Sequence, residues 1–89
     1  MATRQVSIAS SIGLHARPAS LFVQAATVTG LPVTIAKEGQ PAVDARSILA
    51  VMALGAKHGE VVTLTAEGDG AEAALDSLVE LLSRDLDAE

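Results

Sequence analysis

The sequence predicts an α+β fold in which three helices cover one face of a four-stranded, mostly antiparallel sheet. Short segments that alternate between apolar and polar residues predict half-buried strands. Longer segments whose apolar residues recur every three or four positions predict one-sided helices. These elements follow one another in the order β-α-β-β-α-β-α, and one layer of helices on one sheet buries all their apolar faces. The length of 89 residues predicts a single domain over residues 1–89.

The first strand is predicted within residues 3–10, where Val6 and Ile8 fall on the same side of an alternating segment. The first helix is predicted over about Ala16–Val28, because apolar residues recur there at helical spacing. Pro18 lies in the first turn of this helix, where the missing N–H of proline costs no intrahelical hydrogen bond. Its position therefore supports a helix start at this point of the chain.

The centre of the chain predicts two more strands and a short helix. Alternation over residues 32–39 predicts the second strand. A tight turn follows it, and a short third strand is predicted at residues 42–43. Pro41 has no N–H to donate to a sheet, so the third strand is expected at an edge. Ser47 and Gly55 are typical capping residues, which predicts a helix between them.

The last part of the chain predicts the fourth strand and the final helix. The strand is expected within residues 60–68, where alternate residues are apolar. The helix is expected over about Ala71–Leu86, with a stripe of leucines on one side. Asp69 and Glu72 have the spacing of a capping box, which would satisfy the N–H groups at the helix start.

The composition disfavours several classes of protein. The formal net charge is −5, with six Lys and Arg against eleven Asp and Glu, so a basic surface for nucleic acid is not expected. No apolar run reaches the roughly 18–20 residues of a membrane span. The first ten residues lack the hydrophobic segment of a signal peptide, and there is no cysteine for a disulfide framework. We therefore expect a cytoplasmic domain without membrane insertion. A monomer is also expected.

His15 and Arg17 lie at the start of the first predicted helix and form the candidate site. The first N–H groups of a helix, here those of Ala16 and Arg17, are not used by the helix itself and favour an anion. The same field disfavours a charged imidazole, which leaves His15 with the lone pair that a nucleophile needs. The guanidinium of Arg17 matches phosphate oxygens. This chemistry suits a phosphoryl group on histidine, although a histidine at such a place is more often a helix cap or a solvated loop residue.

Neither a metal site nor a cofactor is expected. His15 has no second histidine and no acidic cluster near it in the sequence, and His58 is more than forty residues away. His58 itself lies in a polar segment before the fourth strand and is interpreted as a solvated loop residue.

The segment GLHARPAS, residues 13–20, resembles the active-site signature of HPr, the histidine-containing phosphocarrier family of the bacterial phosphoenolpyruvate-dependent sugar phosphotransferase system. The segments FVQAA, ARSILAVMALGAKHGE and VVTLTAEGDGAEAAL resemble the parts of the family sequence that follow, so the resemblance extends over nearly the whole chain. It implies an open-faced β-sandwich and a carrier protein without enzymatic turnover of its own.

The resemblance also implies roles for single residues. His15 matches the residue that receives a phosphoryl group on Nδ1 from phosphorylated enzyme I and passes it to the IIA domain of a sugar permease. Arg17 matches the residue that contacts the phosphoryl group. Ser47 matches a position at which a dedicated serine kinase and phosphorylase regulate many relatives. Three residues match the apolar surface that docks partners beside the site: Ile48, Leu49 and Met52.

The short second helix cannot direct all its apolar side chains at the sheet. Val51 and Leu54 form an inward pair, and Ile48 is expected to join them three residues earlier. Leu49 and Met52 then point elsewhere. Exposure of these two would make a docking surface, whereas the alternative is partial burial under a loop.

Other functions stay open at this point. A regulatory paralogue would act through phosphorylated Ser47, and a nitrogen-system paralogue would use the same histidine chemistry in a relay that does not serve sugar uptake. A small ligand-binding domain would need a concave apolar pocket, for which the sequence offers no candidate. Gln24 and Thr27 stand where many HPr proteins carry lysines, so weaker electrostatic attraction to acidic partners is expected.

Overall fold

The computed structural model describes residues 1–84 and has two layers, one of strands and one of helices. The strands are β1 (Ala2–Ser7), β2 (Val33–Lys37), β3 (Val43–Asp44) and β4 (Val61–Ala66), and the helices are α1 (Ala16–Val28), α2 (Ile48–Leu54) and α3 (Ala71–Leu82). Their order along the chain confirms the predicted β-α-β-β-α-β-α arrangement. The longest helix in the described part, α1, has 13 residues, too few for any of these helices to cross a bilayer.

The sheet has the strand order β1-β4-β2-β3, and each neighbouring pair is antiparallel. In the centre of the sheet, Leu64 of β4 lies between Arg4 of β1 and Ile35 of β2. The short strand β3 forms one edge, as Pro41 predicts. Within residues 1–84, β1 pairs with β4 alone, so the first strand is held in the sheet by the last of the described strands.

One face of the sheet is buried beneath the helices. Val62 and Leu64 are fully buried on this face, and the alternate threonines of β4 are half-buried on the other. Phe22, the only aromatic residue of the chain, is fully buried at the centre of α1. The predicted stripe of α3 is buried as well: Ala71, Leu75, Leu78 and Leu82. The apolar periodicities therefore predict correctly which face of each element packs into the core.

Both ends of α3 differ from the sequence prediction. The residue that caps the helix start is Gly70, with φ 82°, and no side chain caps this end. The predicted capping box is therefore wrong, because Asp69 lies one position too early to serve as the cap. Glu72 instead forms an ion pair with Arg4 at 3.5 Å. The helix ends at Leu82 rather than at Leu86, which lies outside the described residues.

Candidate functional site

His15 occupies the cap position at the start of α1, in extended conformation and with an exposed side chain. Its imidazole makes no capping hydrogen bond, so the ring is not occupied by the usual structural role of a polar residue at this position. The carbonyl of His15 accepts the N–H of Ala19 at 3.5 Å, which begins the helix. The predicted site histidine thus lies at a helix start, where the backbone favours an anion.

The two residues after His15 begin α1, which is where the sequence predicts them. Ala16 and Arg17 contribute the first helical N–H groups, and both residues are exposed. Pro18 follows in the first turn and is buried, which fixes the direction of the helix start. Arg17 is the only charged residue of α1. Because Gln24 and Thr27 are exposed and uncharged, the positive charge along this helix is concentrated at the candidate site.

Ala16 has an unusual backbone conformation that the sequence does not predict. Its φ of 50° makes it the only non-glycine residue with positive φ among residues 1–84. A side chain in this region costs about 1–2 kcal/mol, because Cβ approaches the following carbonyl oxygen. Such a conformation persists only where surrounding contacts hold it. The segments on either side of His15 must therefore be well fixed.

Residues 8–15, which we call the site loop, are fixed by residues 55–60, the bridging loop that leads from α2 to β4. The N–H of Ile8 donates to the carbonyl of Glu60 at 2.9 Å, and the N–H of Gly59 donates back to Ile8 at 2.8 Å. At the other end, the N–H of Leu14 donates to Ala56 at 2.9 Å. Leu14 and Ala56 are both buried. The backbone immediately before His15 is therefore tied to a segment more than forty residues away.

Gly13 is the closest contact between these two loops. It has φ 79°, and a Cβ at this position would lie 2.7 Å from the carbonyl oxygen of Ala56 and 3.0 Å from Cα of Lys57. Both neighbours are backbone atoms, so a side chain could be accommodated only by separating the loops. A glycine is required here by backbone conformation and by packing together.

Ser47 caps the start of α2, as predicted. Its hydroxyl oxygen accepts the N–H of Ala50 at 3.3 Å, and the residue is half-buried. Gly55 ends the helix with φ 70°, also as predicted. Since α2 has seven residues, its capped end lies about 10 Å along the helix axis from the end that enters the bridging loop. Ser47 is thus at the end of α2 remote from the contact between the two loops.

Asp44 organises the turn just before Ser47. Its Oδ1 accepts the backbone N–H of Arg46 at 2.9 Å and the Nε–H of the same residue at 3.2 Å. The backbone hydrogen bond, followed by the side-chain hydrogen bond and the charge of Arg46, lowers the pKa of Asp44 below its ordinary value. The carboxylate is therefore favoured in the folded chain.

The lowered pKa of Asp44 predicts a pH-dependent contribution to stability. A depressed pKa in the folded state stabilises the fold above the ordinary pKa of aspartate, about 3.9, and this contribution is lost as the pH falls through the lower folded value. The Asp44→Asn variant keeps an oxygen acceptor but loses the charge. We expect its urea midpoint to lie below that of the wild type at pH 7, with the gap closing below about pH 4. If the urea midpoints of the variant and the wild type differ by the same amount at pH 7 and below about pH 4, the carboxylate does not have this role.

The apolar side chains of α2 divide differently from the prediction. Val51 and Leu54 are buried as expected, but Ile48 is 38% exposed and does not join them. Two steps of three residues rotate the side-chain direction by about 120°, so Ile48 leaves the inward face that Leu54 occupies. Leu49 is 80% exposed, whereas Met52 is half-buried against the core.

Ile48, Leu49 and Met52 form one contiguous surface, which we call the α2 patch. They fall within about 100° of one another around the helix. Of the three, Met52 alone is partly buried, and it packs against the core. Because α2 packs against α1, the patch belongs to the same two-helix layer as His15 and Arg17. An exposed apolar surface of this kind is typical of a docking site.

Comparisons with known proteins agree with this arrangement. A family model described as "PTS HPr component phosphorylation site" matches residues 2–84. The chain is 53% identical over 87 residues to phosphocarrier protein HPr of Streptomyces coelicolor, covering 98% of this chain and 94% of that protein. It is 35% identical over 85 residues to the HPr-like protein Crh of Halalkalibacterium halodurans, covering 96% of this chain and all of that protein. The crystal structure of HPr-C-His from Thermoanaerobacter tengcongensis superposes with a TM-score of 0.86 at 43% identity, covering 92% of this chain and 91% of that one.

Proposed function

The chain belongs to the HPr family of phosphocarrier proteins, and from this premise we propose that His15 accepts a phosphoryl group from phosphorylated enzyme I and passes it to the IIA domain of a sugar permease. The observation that supports this role most directly is the exposed imidazole of His15 at the start of α1, without a capping bond of its own and two residues from Arg17. A member of this family is a carrier and not an enzyme, because it is itself phosphorylated in one transfer and dephosphorylated in the next.

The first transfer uses the lone pair of Nδ1 of His15. This nitrogen attacks the phosphorus held by enzyme I, a new N–P bond forms, and the electron pair of the broken bond returns to the donor atom of enzyme I. Three phosphoryl oxygens carry negative charge throughout, and the transition state is loose. The guanidinium of Arg17 and the N–H groups of Ala16 and Arg17 would stabilise that charge, since both residues follow His15 at the start of α1. The second transfer repeats the step with a nucleophile of the IIA domain attacking the phosphorus.

Phosphotransfer in vitro tests the proposal. Phosphoenolpyruvate and purified enzyme I are expected to add one phosphoryl group to the chain, stable in alkali and labile in acid, as an N–P bond is. Addition of purified IIA domains of sugar and nitrogen-regulatory systems is expected to discharge the group to a sugar-type domain. An unlabelled chain, or an acid-stable label, would contradict the assignment. Light scattering before and after labelling tests the accompanying proposal that the carrier is a monomer.

A second, regulatory role is proposed for Ser47, on the grounds of its position. Its hydroxyl lies at the start of α2, directly beside the exposed Ile48 and Leu49 of the α2 patch. A phosphate on this oxygen would add roughly −1.5 to −2 charges at the edge of that patch. Arg46, one residue earlier, would offset part of this charge. The modification would therefore change docking to acidic partners without altering His15.

Two variants of Ser47 separate its capping role from its proposed modification. Ser47→Ala removes both the cap and the acceptor hydroxyl, and we expect it to lose about 1 kcal/mol of unfolding free energy. Ser47→Asn keeps a capping oxygen and is expected to retain wild-type stability. A serine kinase that acts on HPr proteins should transfer phosphate from ATP to the wild type but to neither variant. Urea unfolding and radiolabelling are the measurements, and a labelled Ser47→Asn chain would place the modification elsewhere.

A further inference from the structure

The carbonyl oxygen of Ser10, inside the site loop, accepts hydrogen bonds from two directions. The N–H of Gly13 donates to it at 3.0 Å and closes a turn within the loop. The Nδ1 atom of His58, in the bridging loop, lies 3.1 Å from the same oxygen. Because a carbonyl oxygen can only accept, Nδ1 of His58 carries the hydrogen in this contact. Ser10 itself is only 3% exposed, whereas His58 is exposed, so the imidazole meets the site loop from the surface.

This side-chain bond lies between the two backbone anchors of the site loop. At the start of the loop, Ile8 is bonded to Glu60 and the N–H of Ala9 donates to the carbonyl of Leu82 at 3.1 Å; at its end, Leu14 is bonded to Ala56. The bond from His58 fixes the turn between them, whose last residue, Gly13, is two positions before His15. A segment held at three points has much less freedom than one held at its ends.

We propose that His58 is a positioning residue for phosphoryl transfer at His15. It donates a hydrogen bond from Nδ1 to the Ser10 carbonyl and thereby fixes the turn that sets the backbone of His15. This inference rests on the proposed function. His58 is an exposed loop residue, as the sequence predicts, and the inference adds a role to that position. It assigns His58 no contact with the phosphoryl group.

The hydrogen bond from His58 to Ser10 is important because of the backbone conformation of Ala16. Ala16 has φ 50°, a conformation that must be imposed by neighbouring structure. The structure before it is the site loop, and the structure after it is α1. If the Ser10–Gly13 turn is released, the chain before His15 gains freedom to relax this conformation. Small displacements of a reacting nitrogen from its line of attack slow transfer strongly.

A matched pair of variants isolates the hydrogen bond from side-chain shape. In His58→Asn, an amide N–H can occupy the place of Nδ1–H and donate to the Ser10 carbonyl. In His58→Leu, a methyl group similar in size to the amide nitrogen of Asn occupies this place and has no hydrogen-bond donor. Three measurements are made on each chain: the initial rate of labelling by phosphorylated enzyme I, hydrogen exchange of the Gly13 amide, and the urea midpoint.

The leucine variant is expected to be labelled about threefold to tenfold more slowly, the range that one lost hydrogen bond produces, and to exchange its Gly13 amide faster by a similar factor. The asparagine variant is expected to restore both towards wild-type values, whereas a purely structural role would change the urea midpoint and leave the labelling rate unchanged. If the leucine variant is labelled as fast as the wild type, or the asparagine variant as slowly as leucine, His58 does not position His15. A wild-type chain that enzyme I does not label would overturn the proposed function instead, while the Gly13 exchange, which needs no enzyme I, would still report the bond.

Discussion

The His15→Ala variant is expected to take up no acid-labile phosphoryl group from phosphoenolpyruvate and enzyme I, a complete loss of labelling rather than a reduced rate. The methyl side chain offers no nucleophile, and the donors proposed at Ala16 and Arg17 would stabilise charge without forming a bond to phosphorus. The His15 imidazole makes no capping bond and is exposed. Its removal should therefore change the free energy of unfolding by no more than about 0.5 kcal/mol, so lost labelling can be attributed to lost chemistry.

The second histidine provides the control for this experiment. The chain has two histidines, His15 and His58, and His58→Leu should still reach one phosphoryl group per chain at long times, however slowly. Mass spectrometry under alkaline conditions gives the stoichiometry, and urea unfolding verifies that each variant is folded. A His15→Ala chain that still becomes labelled would show that another residue accepts the group.

The Gly13→Ala variant is expected to lose about 2–4 kcal/mol of unfolding free energy and to be labelled much more slowly by enzyme I. Alanine at φ 79° costs about 1–2 kcal/mol in backbone conformation alone. Its Cβ would also approach the Ala56 carbonyl oxygen to 2.7 Å, and relief of that contact requires the site loop to move away from the bridging loop. The hydrogen bond from Leu14 to Ala56 would be lost or lengthened in the process. A domain of typical stability remains folded after such a loss.

Gly59→Ala is the matched control for this variant. Gly59 has a similar φ of 84°, lies in the bridging loop, and has open space where its Cβ would be. It should therefore show the conformational cost without the collision, about 1–2 kcal/mol. Urea unfolding measures both. Equal destabilisation of the two variants would mean that the close contact between the loops contributes nothing.

The parts of the fold that the sequence predicts are those set by residues close together in the chain. The alternation in β4, the helical stripe over Ala16–Val28 and the capping hydroxyl of Ser47 depend on spacings of two to four residues, and all three are confirmed. The errors have local causes too. The capping box of α3 fails by one position because Gly70 takes the cap. Ile48 leaves the buried face because a repeated spacing of three drifts around a helix.

The geometry of the candidate site is less predictable because it depends on contacts between distant segments. The sequence places His15 and Arg17 at a helix start, and the family resemblance supplies their proposed roles. Neither argument contains the packing of Gly13 against Ala56 or the bond from His58 to Ser10. These contacts exist only once both loops are brought together by the sheet. The positive φ of Ala16 follows from the same tertiary arrangement and has no signature of its own in the sequence.

The dependence of the site loop on the bridging loop has a consequence for the chain as it is made. A nascent chain that ends before residue 56 contains His15, Arg17 and all of α1, but none of the bridging-loop residues that bond to Ile8, Ser10 and Leu14. Within residues 1–84, β1 pairs in the sheet with β4 alone, so β1 can pair only after β4 has been made. Closing such long loops is slow and comes at a late stage of folding. Under the proposed function, competence to accept a phosphoryl group should therefore arise only after the bridging loop and β4 have been made, and shorter nascent chains should not accept it.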